Sequence, residues 1–155
     1  QYNEAFMQEE NKEGNKVVFS RRKIGGETAI ILNEIIEGGL YSSFFGTLDS
    51  ARIKSATDEA LELVNASDAD VIIIDLKNVD MIDSSISIHL VKFVKTLALV
   101  GVNVIFCSIQ PVVAQAMISA GVEINDSLKI VKNLKGALHL ALKQKGLKIV
   151  SVDPQ

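Results

Sequence analysis

Asp83, Ser84 and Ser85 are the neighbouring side chains best suited to a chemical role in this chain. They follow the apolar run 71–76 (VIIIDL) and precede an amphipathic segment, so they stand between a predicted strand and a predicted helix. A hydroxyl at a helix N-terminus lies where free N–H groups and the helix dipole favour added negative charge. Phosphorylation adds about −1.5 to −2 charges. Beside Asp80 and Asp83 that charge would weaken a partner interface, so Ser84 is a candidate switch.

The same residues are also good helix caps. Asp83 or Ser84 can accept hydrogen bonds from the first N–H groups of the following helix. Capping also accounts for the carboxylates of Asp75 and Asp83, at the end of one element and the start of the next. Spacing alone leaves both interpretations open.

Other chemistry has weaker support in the sequence. Cys107 lies in an apolar run and is expected to pack as a small hydrophobe. His89 and His139 have no Cys, Asp or His at metal-ligand spacing. No glycine-rich loop follows a strand and opens a helix, and no G-x-S-x-G elbow is present. We therefore expect no catalytic residue, no metal site and no cofactor.

Composition restricts the partners and the compartment. The 155 residues carry 16 Lys+Arg and 19 Asp+Glu, a net charge of −3, which gives no basic surplus for nucleic acid. A single cysteine suits a reducing cytosol. No run of about eighteen apolar residues predicts a membrane span. We expect a cytoplasmic protein without direct membrane insertion, and the first residue, Gln1, suggests a fragment of a longer protein.

The pattern of elements predicts an α/β fold. Two β-favouring runs flank Gly38-Gly39 and indicate an antiparallel hairpin. The following strands alternate with amphipathic helices, which favours a mostly parallel central sheet with four helices packed against it. The predicted strands are 28–37, 40–46, 71–76, 102–109 and 128–131, the helices 51–65, 84–100, 111–120 and 134–145, with a loop at 77–83.

Three regions are expected along the chain. Residues 1–26 are polar and weakly patterned, and they predict an arm or linker with one short strand at 17–19. Residues 27–147 would form the domain, and 148–155 a C-terminal tail.

The stretch from Val71 to Gly121 resembles the STAS domain, named for sulfate transporters and anti-sigma factor antagonists. With Phe45 to Asp49 and the last predicted helix included, the likeness covers roughly residues 28 to 145. The resemblance rests on VIIIDL, Asp83-Ser84-Ser85, the helix ending Leu99-Val100-Gly101, the strand VNVIFCSI, and Gln110-Pro111-Val112-Val113-Ala114.

The resemblance implies a protein-interaction module of bacterial signalling. In anti-sigma factor antagonists, a serine or threonine directly after the aspartate is phosphorylated by a kinase that is itself the anti-sigma factor. Carried over, Ser84 is the acceptor, Ser85 is a minor alternative, and Asp83 is their neighbour. The partner surface is expected to include these three residues with Asp49 and Ile88, with core packing as the alternative for Ile88. The implied partners are the kinase, a phosphatase, and other STAS proteins or a second copy.

Two features separate this chain from parts of the family. Many antagonists have a glycine shortly after the serines, where this chain has Ile86. The third helix resembles stressosome scaffolds, yet Ala116 and Met117 stand where one scaffold type carries a second acceptor, with only Ser119 nearby. The STAS portion of an anion transporter and a nucleotide- or ligand-binding module remain the alternative functions.

Overall fold

The computed structural model describes residues 29–123 and 128–153 in full, and the backbone of two short segments before them. These residues contain seven strands and four helices. The strands are β1 Gln8–Glu10, β2 Lys16–Val18, β3 Leu32–Ile36, β4 Gly39–Leu48, β5 Val71–Ile82, β6 Asn103–Cys107 and β7 Lys129–Val131. The helices are α1 Ser50–Asn65, α2 Ile86–Leu99, α3 Pro111–Ser119 and α4 Leu134–Gln144.

The strands form one sheet in the order of the chain, from β1 to β7. Neighbours from β1 to β4 pair antiparallel, and neighbours from β4 to β7 pair parallel. The α/β fold with an opening antiparallel hairpin, parallel strands and four helices is thus confirmed. The C-terminal ends of β4, β5 and β6 lie at one edge of the sheet, where sites of parallel sheets usually form.

The β3–β4 hairpin turns at Glu37-Gly38, one residue earlier than predicted. Ile36 pairs with Gly39 across the turn, and Gly38 has φ of 72°, in the left-handed region that favours glycine. A Cβ on Gly39 would collide with the side chain of Ile36. Gly38 is therefore needed for its backbone conformation, and Gly39 is needed because a side chain there would clash with Ile36.

Helices cover both faces of the sheet, but unequally. Side chains of α1, α2 and α3 join one large core with Phe44, Ile72 and Ile74. On the other face, α4 packs through Ala137 and Ala141 against a smaller core. Because helices pack on both faces, every residue from Val71 to Leu76 is buried, and buried and exposed side chains do not alternate along this run. The smaller core contains Val71, Ile73, Ile105 and Cys107.

The predicted loop at 77–83 is wrong, because β5 continues to Ile82. Its second half pairs with β4 as far as Leu48 and Ile82, with two shifts of register along the way. Each shift admits an extra β5 residue, which breaks the alternation that identifies a strand in sequence. The true connection to α2 is only residues 83–85, so Ser84 and Ser85 precede the helix rather than belong to it.

Candidate functional site

The candidate site lies at the sheet edge where β4 and β5 end. Leu48 and Ile82 are paired at the ends of these strands, and the N–H of Asp83 donates to the Leu48 carbonyl at 3.4 Å. Asp49 and Asp83 each follow the last residue of their strand. The start of α1 is thereby brought beside the start of α2.

Asp83 connects the two helix starts. Its Oδ2 accepts from the N–H of Ser50 at 3.0 Å, and its Oδ1 accepts from the N–H of Ser85 at 3.0 Å. The hydroxyls of both serines also donate to Oδ1, each at 3.0 Å. The two Oγ atoms are 2.6 Å apart, within hydrogen-bond distance of each other. We call Ser50, Asp83 and Ser85 the Asp83 clamp.

The clamp favours the ionised form of its carboxylate. The N–H of Ser50 has the largest effect, and with both serine hydroxyls and the N–H of Ser85 it lowers the pKa of Asp83 below its usual range. Loss of water acts in the opposite direction and is outweighed. Asp83 is therefore a fixed negative charge at this edge at neutral pH.

Ser84 lies outside the clamp. Its side chain is exposed, and its hydroxyl has no hydrogen-bond partner among residues 29–123 and 128–153. The N-cap of α2 is Ser85, whose side chain makes no cap bond, while the Ile86 N–H donates to the Asp83 carbonyl at 3.3 Å. The helix start is thus held without the Ser84 hydroxyl, and capping does not explain this residue.

Asp49 has a clear structural role at the same edge. It is the N-cap of α1, and its Oδ1 accepts from the N–H of Arg52 at 2.7 Å. The guanidinium of Arg52 donates to the Phe45 carbonyl at 2.6 Å and lies 5.0 Å from the centre of the Phe44 ring. Both groups fix the end of β4 to the beginning of α1.

Ile88 is on the outer side of the first turn of α2. Its side chain is 71% exposed, so the core alternative for this residue is wrong. Asp80 and Met81, in the last part of β5, are exposed as well. The Ile88 side chain is therefore accessible from solvent at the start of α2.

A second cluster of polar side chains lies on the face of the sheet that α4 covers. The buried carboxylate of Asp75 accepts from the Tyr41 hydroxyl at 2.9 Å and from the Lys77 N–H at 2.9 Å. Burial, with help from Asp75, raises the pKa of Tyr41 to about 12. Burial likewise raises the pKa of Cys107 to about 11, so this thiol is protonated and inaccessible at neutral pH. The group satisfies its own hydrogen bonds and offers no nucleophile.

The described residues contain no cluster of three or more His, Cys, Asp or Glu that could hold a metal ion. Within the same residues, no helix is long and apolar enough to cross a membrane.

A family model for the STAS domain matches residues 31–137, which include the whole candidate site. The chain belongs to the STAS domain family.

Relatives of this STAS domain are regulatory proteins by name. RsbRA of Bacillus subtilis (strain 168), an RsbT co-antagonist protein, is 26% identical over 151 residues, covering 89% of this chain and 54% of RsbRA. The chain thus spans about half the length of that relative. Among solved structures, RsbS of Moorella thermoacetica has a TM-score of 0.63 at 16% identity, covering 76% of this chain and 98% of RsbS. The anti-sigma factor antagonist SpoIIAA, unphosphorylated, has a TM-score of 0.58 at 16% identity, covering 79% of this chain and 99% of SpoIIAA.

The structure of this STAS domain brings together most of the predicted site residues and adds one. Asp49, Asp83, Ser84 and Ser85 lie at the same edge. Ser50 was predicted only as a possible helix cap and not as a site residue, although it contacts both Asp83 and Ser85. Its sequence signal is only a serine after a capping aspartate, and its partners are 33 and 35 residues away along the chain.

Proposed function

We propose that this STAS domain is an anti-sigma factor antagonist-like interaction module, regulated by reversible phosphorylation of Ser84 by a partner serine kinase. One observation carries the proposal. Ser84 presents an exposed hydroxyl without a hydrogen bond to residues 29–123 and 128–153, two residues before α2 and next to the ionised Asp83. A hydroxyl that is free to turn can enter a kinase active site without breaking a contact of the fold.

The surroundings of Ser84 explain how a phosphate would act. Asp49, Asp80 and Asp83 bring three carboxylates to this edge, together with the guanidinium of Arg52. A phosphate on Ser84 adds about −1.5 to −2 charges beside them, and these charges repel one another and are costly to dehydrate. A partner that covers Ser84 and Ile88 in the unmodified protein would therefore be released by phosphorylation.

The names of the relatives support the kind of partner. RsbRA is a co-antagonist of RsbT, and SpoIIAA is an anti-sigma factor antagonist. We infer by analogy that the kinase is itself the anti-sigma factor, that a phosphatase restores the free hydroxyl, and that other STAS proteins or a second copy are further partners. The contact surface would comprise Asp49, Asp83, Ser84, Ser85 and Ile88, in a domain extending over residues 27–147.

The first test measures phosphate transfer and kinase retention with purified serine kinases of the source organism. Wild type, Ser84→Ala and Ser84→Asp are compared, with Ser119→Ala and Ser119→Asp as matched controls at an exposed serine of α3. We expect a kinase that labels wild type and both Ser119 variants at least about tenfold more than Ser84→Ala. Because a carboxylate imitates part of the phosphate charge, Ser84→Asp should retain that kinase at least about tenfold more weakly.

Equal labelling of wild type and Ser84→Ala by every kinase, with equal retention of all five proteins, would refute the proposal. Loss of labelling in Ser119→Ala would move the acceptor to α3.

A further inference from the structure

We infer that Asp83 is a positioning residue that directs phosphorylation to Ser84 by holding Ser85 in the clamp. The inference rests on the proposed function, since it concerns which of two adjacent serines the kinase modifies. Both side chains are exposed, so accessibility does not separate them. The two serines differ in their hydrogen bonds.

The Ser85 hydroxyl is engaged on two sides. Its Oγ is 3.0 Å from Oδ1 of Asp83 and 2.6 Å from Oγ of Ser50. The backbone of Ser85 is fixed as well, because its N–H donates to the same Oδ1 at 3.0 Å. Ser84 has none of these contacts within the described part of the chain.

Phosphate transfer requires the acceptor Oγ to face the γ-phosphate of ATP. The O–H bond breaks and its proton passes to a base of the kinase active site, the Oγ–P bond forms, and ADP leaves with the electron pair of the broken P–O bond. For Ser85 to react, it must first leave a hydrogen bond to a carboxylate, which is stronger than one between neutral groups. Ser84 can turn without this loss.

Charge acts in the same direction. A phosphoryl group arriving at Ser85 would approach the Asp83 carboxylate at hydrogen-bond distance, and both groups are negative. The hydroxyl proton that now bridges Ser85 and Asp83 would be lost in the reaction. Together these effects should favour Ser84 by at least about tenfold.

The experiment uses the kinase that labels Ser84 in the previous test, and mass spectrometry locates the phosphate. Ser84→Ala removes the preferred acceptor, so its residual labelling reports Ser85 in the intact clamp. Ser84→Ala with Asp83→Asn neutralises the clamp carboxylate. Ser84→Ala with Ser50→Ala keeps the carboxylate but removes the second hydroxyl. Ser84→Ala with Asp58→Asn removes an equal charge from an exposed position of α1.

We expect Ser85 labelling to rise at least about tenfold above Ser84→Ala when Asp83→Asn is added, and by a smaller factor when Ser50→Ala is added. Asp58→Asn should leave it at the level of Ser84→Ala. In the single variant Asp83→Asn, the ratio of Ser85 to Ser84 labelling should rise at least about tenfold over wild type, whatever the total labelling, because a lost kinase contact affects both serines. The inference is overturned if this ratio does not rise and Ser85 stays unlabelled in both clamp variants while circular dichroism shows native secondary structure. Absence of labelling in wild type would instead refute the proposed function.

Discussion

The carboxylate of Asp83 performs two tasks at the scale of single residues. It accepts the N–H of Ser50, the first residue of α1, and so supplies one of the bonds that a helix start lacks. It also holds Ser85 through both its N–H and its hydroxyl. Ser84 lies between these bonds in sequence and takes part in neither. Asp83 therefore holds Ser50 and Ser85, while the hydroxyl of Ser84, the candidate acceptor, has no hydrogen bond within the described residues.

The clamp should make folding stability depend on pH in acid. Because the pKa of Asp83 is lowered in the folded state, its stabilising effect is complete above the unfolded value near 3.8 and is lost as pH falls through the folded value. We predict that the difference in free energy of unfolding between wild type and Asp83→Asn is largest at neutral pH and shrinks below about pH 4. Urea unfolding at pH 7, 5, 4 and 3 would measure it.

Ser50→Ala provides the internal control for this prediction. It removes one hydroxyl of the clamp but keeps the Ser50 N–H, the largest single cause of the lowered pKa. In this background the Asp83→Asn difference should keep the same dependence on pH with a smaller amplitude. A difference that is constant from pH 7 to 3 would show that the Asp83 bonds do not distinguish its two protonation states.

At the scale of elements, the sequence predicted what depends on local pattern. Apolar spacing identified α1 and α2, and Gly38-Gly39 located the hairpin. The second half of β5 was missed, because its register shifts remove the alternation and its pairing with β4 is not local. The roles of Ser50 and Tyr41 were missed because their partners, Asp83 and Asp75, are 33 and 34 residues away along the chain. The sequence also could not show that the Ser84 hydroxyl has no hydrogen-bond partner in the described part of the chain, because that depends on where residues distant in sequence lie.

Helix α4 packs on the sheet through alanines, so its inner side has no room for larger side chains. Ala141 is fully buried in the smaller core, beside β5 and β6. Ala141→Leu would insert three carbon atoms into a packed interface, and we predict a loss of about 1–3 kcal/mol of unfolding free energy. Ala98→Leu, the same change at an exposed position of α2, should stay within about 0.5 kcal/mol. Denaturant unfolding of both variants tests this, and equal losses would contradict the described packing.

At the scale of the whole molecule, contacts at both ends of residues 27–147 tie the chain to the domain. Near the beginning, the carboxylate of Glu59 accepts from the N–H groups of Ala29 and Ile30 at 3.0 and 3.1 Å. Near the end, Lys145 forms an ion pair with Asp70, the residue directly before β5. The described buried core extends from Ile30 to Ala141 and so lies between these contacts.

We therefore predict that residues 27–147 fold without the rest of the chain. β2 pairs with β3 through only two residue pairs. Removing residues 1–26 therefore makes β3 the outermost strand of the sheet but takes away no part of the described core. A fragment of residues 27–132 is the contrasting control, because it lacks α4 and exposes the apolar face of Val71, Ile73 and Ile105. Circular dichroism and urea unfolding should show native secondary structure and one cooperative transition for 27–147, and neither for 27–132. If 27–147 unfolds without a transition, residues before 27 or after 147 belong to the folding unit, and fragments 1–147 and 27–155 would show which of the two proposed boundaries must move outwards.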